Sequence, residues 1–154
     1  MKYREYKVGF TFEVPDNFSE VREASYEVFN VAENTLKYFI ELNDDGEIVR
    51  SISLNRDEGL VKTDDDLKNA IQDNVELLEQ AGLTQVENNI LITDSGRQIH
   101  RYVFADLEQE ENIGLLFYFT RIKNALIVSS CYINNFYDFF EDELFNIFNS
   151  IEEL

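Results

Sequence analysis

The sequence predicts an α+β fold: an antiparallel sheet of six to seven strands flanked by helices, built as one domain over residues 1–154. Three observations carry this expectation. Several segments alternate apolar and polar residues with the period of two that marks a half-buried strand. Two longer segments, Thr63–Gly82 and Asn135–Glu153, carry apolar stripes at the helical period. The last four strand segments are separated only by short polar turns, and such turns force antiparallel pairing because parallel strands need a long crossover.

In chain order, Val8, Phe10, Phe12 and Val14 share one face of a first strand, and Pro15 ends it because proline cannot donate to a ladder. Tyr26–Val31 reads as a second strand, with Phe29 and Val31 on the face opposite Tyr26 and Val28. Leu36, Tyr38, Ile40 and Leu42 alternate with Lys37, Phe39 and Glu41, and Asn43-Asp44-Asp45-Gly46 turns the chain into a returning strand, Glu47–Leu54.

Thr63 is placed to cap a helix whose first turn holds Asp64, Asp65 and Asp66, where the macrodipole favours anions; Gly82 stops it. Its apolar face comprises Leu67, Ala70, Ile71, Val75, Leu77, Leu78 and Ala81. Asn74 falls within that face, so its amide needs a hydrogen-bond partner. Leu83–Thr93, Arg97–Leu107, Asn112–Arg121 and Ala125–Ile133 read as four further strands. Asn134 or Asn135 begins the last helix, with Phe136, Phe140, Leu144, Ile147, Phe148 and Ile151 as its core stripe.

About seven strands at ~4.8 Å spacing make a sheet roughly 30 Å wide, while one helix covers about 10–12 Å. Strands such as Gly114–Thr120 are apolar on both faces. Two helices cannot cover both faces, so the sheet must curl, split or leave apolar surface open.

Composition narrows the function. With 31 acidic against 13 basic residues the formal net charge is −18, which argues against a nucleic-acid partner because phosphate binding needs a basic stripe. Six glycines and one proline among many aromatics exclude a disordered chain. One cysteine and one histidine exclude a disulfide framework and Cys- or His-rich metal sites. No apolar run reaches the length of a membrane span. Met1-Lys2-Tyr3-Arg4 resembles the start of a signal peptide, but no apolar stretch follows, so the expectation is a cytoplasmic protein.

Catalytic chemistry is thinly represented. His100 sits mid-strand with Tyr102 and Phe104 on its face and reads as an ordinary strand residue unless a carboxylate meets it in space. Cys131 lies in an apolar strand, away from the helix N-terminus that would activate a thiol. Glu41-x-Asn43-x-Asp45-Gly46 matches part of a calcium loop, but Ile52 stands where the bidentate glutamate is needed, so it reads as a hairpin turn. No catalytic residue, cofactor or metal is expected.

The candidate partner-binding residues are aromatic and acidic. Phe145 falls among the acids of the last helix, beside Glu141 and Asp142; Phe139 falls off its core stripe; Phe39 lies between Lys37 and Glu41 on the outward side of its strand. Aromatic anchors ringed by acids suit a basic-rimmed protein.

Several segments together resemble the PsbP-like/DcrB-like superfamily. They are Phe10-Thr11-Phe12-Glu13-Val14-Pro15, the helix Thr63–Gly82, the strand closing on Asp94-Ser95-Gly96, the hairpin Phe117–Ile133 and Phe148-Asn149-Ser150-Ile151. Ser53-Leu54-Asn55-Arg56-Asp57 is similar to a segment of the DcrB-like branch, while the tryptophan expected after the early proline is absent and Phe18 stands near its place. The resemblance implies a three-layer α/β/α sandwich. Its members are mostly non-enzymatic binders: photosystem assembly and extrinsic proteins, a Ran-binding import factor and chaperones of secretion effectors. The expected function is therefore a non-catalytic protein-binding or chaperone-like adaptor. The alternatives are an acidic immunity protein that neutralises a basic toxin, and a small-ligand carrier using the curved sheet.

Overall fold

The computed structural model describes residues 1–106, 114–133 and 138–154, without the side chains of 132, 133 and 138–140. Seven strands form one antiparallel sheet: β3 (Ser19–Val21), β4 (Thr35–Leu42), β5 (Ile48–Arg56), β6 (Thr84–Ile92), β7 (Gln98–Ala105), β8 (Gly114–Ile122) and β9 (Ala125–Ile133). Their spatial order is β3-β4-β5-β9-β8-β7-β6. A second, three-stranded sheet, ordered β1-β2-β10, joins β1 (Lys2–Glu5), β2 (Phe10–Glu13) and β10 (Glu152–Glu153). The helices are α1 (Asp64–Gln80) and α2 (Asp138–Asn149). The architecture is α+β, as the alternating runs and tight turns predict.

Pairing parity separates the two faces of the large sheet. Leu116, Tyr118 and Ile122 of β8 join Ile99, Ile127, Phe39, Ile52 and Leu54 in a core sealed by β2 and by Leu144, Ile147 and Phe148 of α2. Phe119, Phe104 and Leu126 turn to the other face, under Leu67, Ile71 and Val75 of α1. The width problem is solved by splitting: β5 and β9 pair only at Asn55–Val128 and Arg56–Ile127, and the small sheet covers area that no helix reaches.

α1 starts at Thr63, whose hydroxyl accepts from the Asp66 amide while the Asp66 carboxylate accepts from the Thr63 amide. Gly82, at φ +96°, supplies the left-handed residue that ends it. Asn74 donates to the Ala70 carbonyl at 2.9 Å and to Asp57 at 3.2 Å, so the amide within the apolar face is satisfied. Leu77 departs from the expected stripe and is 65% exposed, and Ala81 is exposed as well. Leu77 follows Val75 and Glu76 around the helix and lies at the stripe's margin, beyond the sheet.

Three segments differ from the sequence expectation. Tyr26–Val31 is not a strand but a chain of tight turns after a 3₁₀ turn at Glu23–Ser25. The outer side of β4 is taken by Ser19–Val21, so no ladder remains for it; Val28 donates to Ser25, and Asn30 adopts a left-handed φ of 53°. The last helix ends at Asn149 rather than near Glu153. There the Ser150 hydroxyl lies 2.6 Å from the Ile147 carbonyl and accepts from the Glu13 amide at 2.7 Å, and residues 152–153 pair with β2. Residues 2–5, to which the sequence reading assigns no strand, form β1 against β2. The expected cap at Asn134 or Asn135, Phe136, and the side chains of Phe139 and Phe140 lie outside the described residues.

Candidate functional site

Of the two acids expected to meet a basic partner, Glu141 is bound within the molecule. Glu141, on the first turns of α2, is gripped by Arg101 of β7: Nε and Nη2 donate to its two oxygens, the latter at 3.1 Å. The same guanidinium donates to Glu87 at 2.9 Å and to Asn89 at 3.1 Å, both on β6. The Tyr118 hydroxyl donates to Glu141 at 3.3 Å. Burial, with the Glu141 carboxylate beside it, raises the Tyr118 hydroxyl far above its ordinary range.

A second clamp repeats this design toward the other side of the sheet. Arg50 of β5 donates to Glu41 at 2.6 Å and to Glu143 of α2 at 2.9 Å, and its guanidinium carbon lies 5.2 Å from the centre of the Phe18 ring. The hydrogen bonds from Arg50 hold the Glu41 carboxyl below its usual range against the opposing effect of burial. α2 is thus tethered to the sheet through both ends of an acidic pair. Asp142, between them, is exposed.

Phe39 is the clear correction. It is fully buried rather than outward, in an edge-to-face contact with Tyr3 at 4.8 Å and with Phe12 at 5.9 Å. The small sheet, which includes strands too short to show a period, covers the side of β4 that the alternation left to solvent. Phe145 is partly buried and packs against the same core. The structure does not bring Phe39 into one surface with Phe145 and Asp142.

His100 lines a cleft of about 440 Å³ between α1 and the β6–β7 hairpin, with Lys68, Ile71, Gln72, Asn88, Ile90 and Tyr102. Its Nε2 is enclosed and has no hydrogen-bond partner among the described residues. Burial lowers its pKa; Asp64 opposes that shift and Lys68 adds to it. No carboxylate is hydrogen-bonded to it among the described residues, so the pairing that would make it a general base is not formed there. Cys131 is buried, and burial pushes its thiol up to about 12, the reverse of an activated nucleophile.

A broader cleft of about 730 Å³ gathers Lys62, Arg97, Arg121 and Lys123 with Asp64 and Glu153. Its arginines are engaged on the chain itself: Arg97 donates to the Arg121 carbonyl at 2.6 Å and Arg121 to the Lys62 carbonyl at 2.8 Å. Glu153 accepts from the Lys123 amide at 3.0 Å and lies 3.7 Å from Arg97. This cluster braces the C-terminal strand.

The feature that the sequence expectation missed is the β6 edge. β6 is nine residues long and ends the sheet order, with neighbours on one side only. Val86, Ile90 and Ile92 are 56%, 52% and 58% exposed. Val86 is the bulged residue, skipped between the Gln85–Phe104 and Glu87–Val103 pairs. An edge of this length, without lysine or proline, carries a row of backbone donors and acceptors that are unpaired among the described residues.

This arrangement of a split antiparallel sheet between α1 and α2 defines an α+β sandwich of PsbP-like type. No family model matches the sequence, and no curated protein matches it either. Among solved structures, the chain is similar to cyanobacterial PsbP (CyanoP) from Synechocystis sp. PCC 6803, with a TM-score of 0.64 and 14% identity over 100% of this chain and 92% of that one. It is also similar to a protein from Bacteroides thetaiotaomicron VPI-5482, with a TM-score of 0.57 and 14% identity over 99% of this chain and 48% of that one. The chain has a PsbP-like fold, as its element order suggests.

Proposed function

We propose that this protein is a non-catalytic protein-binding domain, an adaptor or chaperone-like module of the cytoplasm. The observation that carries the reading is β6, a nine-residue open edge with three exposed apolar side chains. Edge strands of that kind bind extended segments through main-chain hydrogen bonds. The PsbP-like fold supports a binding role in the same direction. Asp142 and the part-exposed Phe145 on α2 are a secondary contact in this reading, while Phe39 is core and has no part in it.

The test is capture of native partners by the intact chain, compared with an Ile90→Lys/Ile92→Lys double variant. Both side chains are more than half exposed, so the fold tolerates the change. Loss of a specific partner in the double variant, with retention in a Val28→Lys control, is the expected result. Equal capture by all three proteins overturns the assignment of binding to β6.

A further inference from the structure

The geometry of β6 also selects what it binds; this inference rests on the reading of β6 as the docking edge. Ile90 pairs with His100 and Ile92 with Gln98, so both isoleucines lie on the α1 face of the sheet. Beside them, α1 overhangs the cleft of about 440 Å³ lined by Ile71, Gln72, Asn88, Ile90, His100 and Tyr102. The His100 Nε2, without a hydrogen-bond partner among the described residues, belongs to this same group.

On the opposite face, Glu87 and Asn89 are held by Arg101, and Leu91 packs into the core. On that face Glu87 and Asn89 are exposed but tied to Arg101, while the α1 face presents the exposed apolar side chains of Ile90 and Ile92. The overhanging helix carries six carboxylates, from Asp64 to Glu79, against the single lysine Lys68. Lys68 is the charged α1 residue that lines the cleft, and Asp64 lies near enough to His100 to oppose the shift that burial causes, so a strand along β6 would run past a helix that is acidic overall.

We infer that β6 accepts an extended basic segment of a partner protein as an eighth strand, with one apolar side chain of that segment seated in the cleft under α1. Nine residues of edge span about 30 Å at the strand rise, enough for several main-chain hydrogen bonds. Every second side chain of the added strand faces α1: one enters the cleft and the next lie along Ile90 and Ile92. Lysines or arginines two positions to either side of that anchor share its face and meet the α1 carboxylates. A second copy of this chain is a poor occupant, because each carries a net charge of −18 and brings the same acidic helix to the seam.

The experiment titrates the intact chain with an acetylated octapeptide of alternating threonine and lysine, one lysine replaced by leucine as the anchor, so that the anchor and the lysines share the face toward α1. Three analogues accompany it: glutamate for lysine, alanine for the leucine anchor, and proline at alternate positions. Affinity and amide hydrogen exchange are read together. The lysine peptide should slow exchange in β6, and each analogue should bind about tenfold or more weakly. A Gln72→Trp variant, which fills the cleft from an exposed helix position, should reduce the leucine peptide to the affinity of its alanine analogue. Equal binding of the proline analogue, protection located away from β6, or concentration-dependent protection of β6 without peptide each overturns the inference. If the Ile90→Lys/Ile92→Lys variant loses native partners but the lysine peptide leaves β6 unprotected, the docking edge stands and the basic-strand assignment falls. If neither effect appears, both fall.

Discussion

The two edges of the seven-stranded sheet are treated in opposite ways. At one edge, β3 is three residues long, and Glu20 on it pairs with Lys37 of β4 at 3.1 Å. The strand behind it is anchored by Phe39, fully buried against the small sheet. Short length and charge are common protections against unwanted strand pairing. At the other edge, β6 is nine residues long and exposes Val86, Ile90 and Ile92. A bulge near its start and the single charge of Glu87 are the protections of this kind that β6 carries. The same sheet therefore contains a defended edge and, among the described residues, an open one.

The largest expected contrast between the edges is in stability. Phe39→Ala removes a ring with no exposed surface and should destabilise the protein by about 3–5 kcal/mol. Ile92→Ala, at the other edge, should cost well under about 1 kcal/mol, because much of its side chain is already in water. Denaturant titration of both variants checks the contrast, and comparable losses would remove it.

Phe39 also shows where sequence reading stops. Alternation locates β4 correctly, but a strand that is apolar on both faces does not reveal which side is covered. The cover comes from β1, β2 and β10: the alternation around Phe10 and Phe12 marks β2 as a strand but not what it lies over, and β1 and β10, of four and two residues, are too short to display a period. Tyr26–Val31 has the composition of a strand and lacks only a free neighbour, a property of topology rather than of local sequence. The longer elements β4 to β9 and α1 were legible because each carries many periods or a capping signal. The arginine clamps were not, since Arg101 and Glu141 are 40 positions apart and Arg50 and Glu143 are 93. The exposed edge could be found only once the strand order was known.

A second, smaller effect concerns how β6 is held. Arg101 joins Glu87 and Asn89 of β6 to Glu141 of α2 and is itself 12% exposed. Arg101→Ala leaves Glu141 with only the Tyr118 hydroxyl among these partners and should cost about 1–3 kcal/mol, below the range for a fully buried pair because Glu141 is part-exposed. Arg101→Lys should recover part of this, since an ammonium keeps the charge but cannot reproduce the fork. Hydrogen exchange should accelerate more in β6 than in β4. Uniform acceleration across both would mean that the clamp supports the whole fold rather than this edge.

A third effect depends on pH. His100 has a folded-state pKa below its ordinary 6.5, chiefly through burial, with Lys68 reinforcing the shift and Asp64 opposing it. In the window between the folded and ordinary values the unfolded chain binds more protons. The contribution from His100 is therefore fully present above about pH 6.5 and lost as the pH falls through the lower folded value. His100→Gln should flatten the stability profile between about pH 7 and 5 relative to the native chain. An unchanged slope would show that His100 titrates alike in both states and that its cleft is as wet as solvent.

The smallest expected change is the most informative about the open edge. Ile90→Thr and Ile92→Thr keep a β-branched side chain and strand propensity while removing apolar surface. Because both positions are more than half exposed, each should leave stability within about 0.5 kcal/mol. If these isoleucines were retained to pack within the fold, the losses would approach those of buried positions. Near-zero cost, combined with weaker partner capture by the same variants, would show that the apolar surface of β6 is maintained for something outside the chain. Near-zero cost with unchanged capture would instead make these exposed isoleucines incidental and leave the β6 backbone as its means of attachment, since single exposed apolar residues are common on protein surfaces.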